Sequence, residues 1–173
     1  MKFSIIEVKK GKKGIIYTIK YNSKEYNEYE EFVYTHKDIN PSGIKTIDIL
    51  LENMVKKFGI RDGSFKRESP ERPHNFRVYR ILNERDEELK LPLLRLYCIK
   101  LSNLAIIIGG GGIKDENKQK LIENPELNDI CNFLMKLDKL IDERVMNKEI
   151  LINENGLEGN LEFDTEEVNN IIL

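Results

Sequence analysis

No apolar run in this sequence approaches the roughly 18 residues that cross a bilayer. Its amino-terminal MKFSIIEVKKGKKG also lacks the order of a signal peptide, because the apolar stretch is short and the lysines follow it. Both absences lead to the expectation of a cytoplasmic protein that does not meet a membrane. Cysteine occurs twice. Cys98 and Cys131 lie in apolar stretches without CxxC or Cys/His spacing, which excludes a disulfide framework and a zinc site and predicts two small buried residues. Histidine also occurs twice, as His36 and His74, and no carboxylate pair stands beside the basic strands. The donor set of a metal-dependent nuclease is therefore missing, and no metal or cofactor is expected. Internal repeats and low-complexity tracts are absent as well.

What is present suits one ordered core under a highly charged surface. The chain has 173 residues, 40% apolar and 34% charged, with seven Phe and seven Tyr. A net charge of −2 conceals an uneven distribution. Lys56 to Arg80 holds eight basic residues against three acidic ones, whereas Asp115 to the C-terminus holds 15 acidic and six basic. The basic part can attract a polyanion while the acidic end repels or shields it; two ordinary solvated faces would look the same.

Strand-like material comes first, with Phe3 to Val8 and IIYTIKY separated by KKGKKG, which reads as a hairpin. EYNEYEEFVYTHKD fits helix by aromatic spacing and strand by its tyrosines. From Ser42 or Gly43 a helix carries Ile44, Ile47, Leu50, Leu51, Met54, Val55 and Phe58 on one face and closes at Gly59. A basic loop with Pro70 and Pro73 follows, then FRVYRIL, the polar NERDEELKLP, LLRLYCIKL, a Ser102-Asn103 turn and LAIII, an antiparallel meander. Asn124-Pro125-Glu126 starts a further helix with a stripe from Leu127 to Ile141. Two short strands around Asn155-Gly156 and a tail that is helical or frayed complete the chain. This order predicts one α+β domain over 1–145 and an acidic extension over 146–173, a short hairpin plus tail.

The run IIIGGGGIK departs from the pattern of a phosphate loop. Gly112 is followed by Ile113, Lys114 and Asp115, without the Gly-Lys-Ser/Thr ending, and Lys114 occupies the third glycine position of a dinucleotide fingerprint. The glycines are expected to bend a buried strand, or to admit another backbone or a nucleic acid strand, and to deliver Lys114 to the end of the sheet. Alternation puts Arg95 and Tyr97 on one strand face and Arg77 and Tyr79 on one face of its neighbour. If both pairs share a side of the sheet, they form a cluster of cations and phenols that faces water or an anion; otherwise the arginines pair with acids of the C-terminal helix.

A central helix, a basic loop, a strand, RLYCIK, and an apolar strand ending in glycines and Ile-Lys together resemble the RelE/HigB-like toxins of bacterial toxin–antitoxin systems. The chain is similar in particular to longer bacterial members with an RLYxIR…GGxxK core ahead of a helix and an acidic segment. The likeness covers roughly Ile44 to Leu140. It implies a RelE-like α+β fold, a curved antiparallel sheet packed against N-terminal and C-terminal helices, and metal-independent cleavage of mRNA on the ribosome. In that chemistry the 2′-hydroxyl attacks the adjacent phosphate, so the protein must stabilise a dianion and handle two protons.

Carried onto this chain, the resemblance makes Arg77 and Arg95 phosphate clamps, Tyr97 a proton-transfer or stacking residue, and Lys114 a further catalytic cation. Lys66, Arg67, Arg80 and Lys100 would bind RNA, and His74 is a conceivable acid or base. The expected partners are an antitoxin and the mRNA or ribosome. The chain exceeds the length of a typical toxin, and the excess is acidic, either a cover over the basic face or the mark of a domain that only binds. A non-catalytic protein-binding or regulatory module is accordingly the alternative expectation.

Overall fold

The computed structural model describes residues 1–67, 76–82, 93–115, 117 and 123–173. Pro70, Pro73 and His74 of the basic loop, and the NERDEELKLP connection at 83–92, lie outside the described residues.

β1 (Lys2–Gly11) and β2 (Gly14–Tyr21) form the expected hairpin, with Gly11 opposite Gly14. The tyrosine-rich stretch that fits either structure is helix α1 (Glu28–His36). A capping box decides it: the Asn27 side chain accepts from the Glu30 N–H at 2.9 Å, and the Glu30 carboxylate accepts from the Asn27 N–H at 3.0 Å. Helix α2 (Pro41–Asn53) opens ahead of the expected Ser42 or Gly43, because Asn40 is its cap. Asn40 Oδ1 accepts from the Gly43 N–H at 2.8 Å, and Pro41 fills the first position, where no N–H is needed. A π-helical turn over Met54–Phe58 continues α2 and buries both Met54 and Val55 before Gly59, at φ +77°, ends it.

β3 (Phe65–Lys66), β4 (Val78–Ile81), β5 (Leu93–Lys100) and β6 (Ala105–Lys114) make the antiparallel meander. β6 continues through all four glycines rather than ending at them. Helix α3 (Pro125–Met146) starts where Asn124-Pro125 places it. Beyond it lie the hairpin β7 (Ile150–Asn153) and β8 (Gly156–Gly159), strand β9 (Glu162–Asp164) and a short helix α4 (Thr165–Asn169) capped by Asp164.

The result is a mixed α+β architecture around a seven-stranded, mostly antiparallel sheet in the order β3-β4-β5-β6-β2-β1-β9. Among the described residues only β2 and β6 pair in parallel, over Ile15–Thr18 and Ala105–Ile108. One face carries Ile16, Leu96, Cys98, Ile106 and Ile108 against Phe32 of α1, Ile47 and Leu51 of α2, and Met54. The other carries Ile5, Tyr17, Tyr97, Ile99 and Ile107 against Leu134, Leu137 and Ile141 of α3. Because both faces are covered, β5 and β6 read as nearly continuous apolar runs instead of alternating apolar and polar. Cys98 and Cys131 are buried, one in each layer.

Residues 146–173 enter this core through β9, which pairs with β1 at the sheet edge opposite β3. Phe163 stacks on Phe3 at 5.4 Å between ring centroids, and Val168 is fully buried. No described helix is long and apolar enough to cross a membrane.

Candidate functional site

The glycine run is explained by packing on three sides. Opposite β5, Tyr97 pairs with Gly110 but Cys98 pairs with Ile108, so Gly109 is the extra residue of a β-bulge. A Cβ at Gly109 would fall inside the Leu134 side chain of α3, and one at Gly111 would collide with the Arg95 carbonyl. Gly110 sits at φ +105°, a left-handed conformation that favours glycine, with Glu28 of α1 close by. The run is therefore a bulged strand squeezed between α1, β5 and α3.

The basic strands are likewise turned inward. Arg80 is the register partner of Tyr97, and alternation along β5 puts Arg95 on the same face. That face lies beneath α3, where Arg80, Arg95 and Tyr97 are 8%, 7% and 1% exposed. Tyr79 instead faces the α1–α2 layer, where it meets Phe65 edge-on at 6.1 Å. Of the two Arg/Tyr pairs, the Arg77/Tyr79 one is consequently split, with Tyr79 alone on the α1–α2 side of the sheet. Arg77, just before β4, reaches α3: its backbone N–H and Nε donate to Asp138 at 2.9 Å, and its Nη2 donates to Asp138 at 2.6 Å and also to Asp142. Burial weakens the Arg77 charge, yet the two carboxylates outweigh it and hold the guanidinium above its ordinary value. Burial pushes the Asp138 carboxyl up, and the hydrogen bonds from Arg77 oppose that rise.

The remaining expected cations are spread over the molecule. Lys100 lies at one end of β5, donating to Asp62 at 2.8 Å and Asn103 at 3.1 Å. Lys114 is the register partner of Leu93 at the other end, so the two lysines are separated by about 24 Å of strand. Lys66 and Arg67 stand exposed at the β3 edge, where the Arg67 guanidinium lies over the Tyr79 ring at 5.2 Å and donates to its hydroxyl at 3.2 Å. His74 is outside the described residues. The structure thus gathers Arg77, Arg80, Arg95 and Tyr97 under α3, sets Lys66 beside Arg80 as its register partner at the exposed β3 edge, and leaves Arg67, Lys100 and Lys114 apart from them. Asp138 is the residue that motif reasoning passed over. Its signal was a carboxylate at i+4 from Leu134 within the apolar stripe of α3, where a charge needs a partner.

A second feature follows from the parallel pairing. Beyond Thr18 and Ile108 strands β2 and β6 part, leaving a cleft of about 620 Å³ floored by Gly110 to Ile113. Glu28, Glu31 and His36 of α1 wall one side, and Glu126 and Asp129 from the start of α3 wall the other. His36 Nδ1 donates to the Phe32 carbonyl at 2.8 Å, and Lys24 pairs with Glu28 at 2.8 Å. Burial, with Glu28 nearby, pushes the Tyr21 phenol up to about 12. Among the described residues no group of three His, Cys, Asp or Glu side chains is placed to hold a metal ion.

Set against known proteins, the chain matches no family model, no curated protein and no solved structure.

Proposed function

We propose that the chain is a non-catalytic protein-binding module. The observation that carries this reading is the burial of the Arg80/Arg95/Tyr97 set beneath α3, with Arg77 neutralised by Asp138 and Asp142. A ribonuclease of the expected kind has to bring cations and a proton-transfer group onto one phosphate, within hydrogen-bond reach. Here those groups contribute to the interior, and Lys100 and Lys114 stand at opposite ends of β5. The RelE-like arrangement is part of the proposal: the β4-β5-β6 meander packed against α1 and α2 supports it, and fold alone assigns no chemistry.

The toxin reading retains one observation in its favour, the β3 edge, where the exposed Arg67 guanidinium lies over the half-buried Tyr79 ring and the exposed Lys66 stands opposite Arg80. One experiment separates the two. The protein is expressed by induction in a bacterial host, with growth and message integrity followed, and purified protein is added to translating ribosomes with a defined mRNA. Unimpeded growth and intact message from folded protein are expected. Growth arrest with cleaved message, relieved by Arg67→Ala in a protein that stays folded, would restore the toxin reading with its site at the β3 edge.

A further inference from the structure

We propose that the cleft between α1 and α3 receives a short extended basic peptide, which adds as a strand to the outer edge of β6. This deepens the binding-module reading and rests on it. Strand ladders alternate, so half of the backbone groups from Gly109 to Lys114 point away from β5, toward the side that β2 has left. Gly111 and Ile113 are not buried, and among the described residues this stretch of edge has no strand partner. An unpaired strand edge is a template for a further strand, and glycines let its backbone approach closely.

Charge selects the occupant. Glu31, Glu126 and Asp129 are exposed, and among the described residues none of the three has an ion-pair partner. α1 belongs to the layer on one sheet face and α3 to the layer on the other. Side chains of an added strand alternate between those faces. Consecutive lysines or arginines would therefore meet Glu31 on one side and Glu126 or Asp129 on the next. An acidic or purely apolar segment would leave these carboxylates uncompensated.

The test uses fluorescein-labelled hexalysine amide, the same peptide N-methylated at every backbone amide, and the full-length chain in wild-type and Glu31→Gln/Glu126→Gln/Asp129→Asn forms. Binding is read by fluorescence anisotropy and by amide shifts of the isotope-labelled protein. Hexalysine should bind wild type and move the Gly111, Gly112 and Ile113 amides, and N-methylation should abolish both effects. The triple variant should bind about tenfold more weakly. Absence of hexalysine binding, or equal binding of the N-methylated peptide, overturns the assignment, the latter because only diffuse charge attraction would then be at work. The peptide comparison needs no variant, so it stands even if the triple variant misfolds. Message cleavage by wild type would overturn the binding-module reading whatever the cleft takes up, whereas intact message with no hexalysine binding overturns the cleft assignment alone.

Discussion

Replacing Arg77 and Asp138 singly and together by alanine should show that Arg77 is a structural residue. Asp138, whose side chain is 3% exposed, accepts from the Arg77 backbone N–H, Nε and Nη2. Breaking a buried pair from one side costs about 3–5 kcal/mol. Arg77 is 28% exposed and keeps Asp142, so part of its charge is solvated without Asp138, and we take about 2–3 kcal/mol for Asp138→Ala. Arg77→Ala leaves the buried carboxyl with only the backbone N–H of the pair, and burial then drives it toward its protonated form, at a comparable cost of about 2–3 kcal/mol. Once one partner is gone the other has little left to lose, so the double variant should cost about 3–4 kcal/mol, a coupling of about 1–2 kcal/mol. Urea unfolding followed by far-ultraviolet circular dichroism gives the three differences, provided the slopes agree. Additivity within about 0.5 kcal/mol, or an Arg77→Ala variant as stable as wild type, would refute the argument. It would return Arg77 to the pool of candidate phosphate ligands.

Two further perturbations probe the same architecture. Gly109→Ala should destabilise by about 1–3 kcal/mol through overpacking, and Leu134→Ala by about 2–5 kcal/mol through a cavity. The alanine methyl would enter the space that Leu134 vacates, so the pair combined should cost clearly less than the two alone; a sum equal to the parts would mean that the glycine is not there for α3. The second concerns acid. The lysines at Glu52 and at Asp62, and the Glu166 N–H with the amino terminus at Asp164, hold these carboxyls below their ordinary values. Their folded values are depressed, so their contribution is present above the usual carboxylate range, about 4, and is lost as pH falls through the folded values. Asp138 has the opposite sign, its raised value making the folded chain the better proton binder at that site. Tm should decline between about pH 5 and pH 2, less steeply in Asp62→Asn/Asp164→Asn; a parallel decline in wild type and variant would contradict the assignment.

Local chemistry decided much of the fold before any packing was known. The KKGKKG hairpin, the meander from Val78 to the end of the glycine strand, the Asn124-Pro125 start of α3 and the β7–β8 hairpin all follow from period, turn residues and caps within a few positions of each other. The same Asn-Pro logic at Asn40-Pro41 moves the start of α2 ahead of Ser42, and the capping box at Asn27 settles α1 as helix. Motif spacing was also enough to set Gly109 to Lys114 apart from the phosphate-loop pattern.

Other features depended on partners far away in the chain. Whether Arg80, Arg95 and Tyr97 face water or the interior is set by α3, which begins some 30 residues beyond Arg95 and contributes Asp138 to Arg77. A period of two says that neighbouring side chains part, but it does not say which sheet face a helix will cover. The parallel join of β2 to β6, with about 90 residues between them, is another such pairing. It fixes where the two strands separate, and so opens the acid-walled cleft beside the glycines. Period and cap signals act over a few residues, whereas burial and charge compensation are settled only when distant segments meet; composition made the elements of this protein legible, and tertiary structure alone placed its charges.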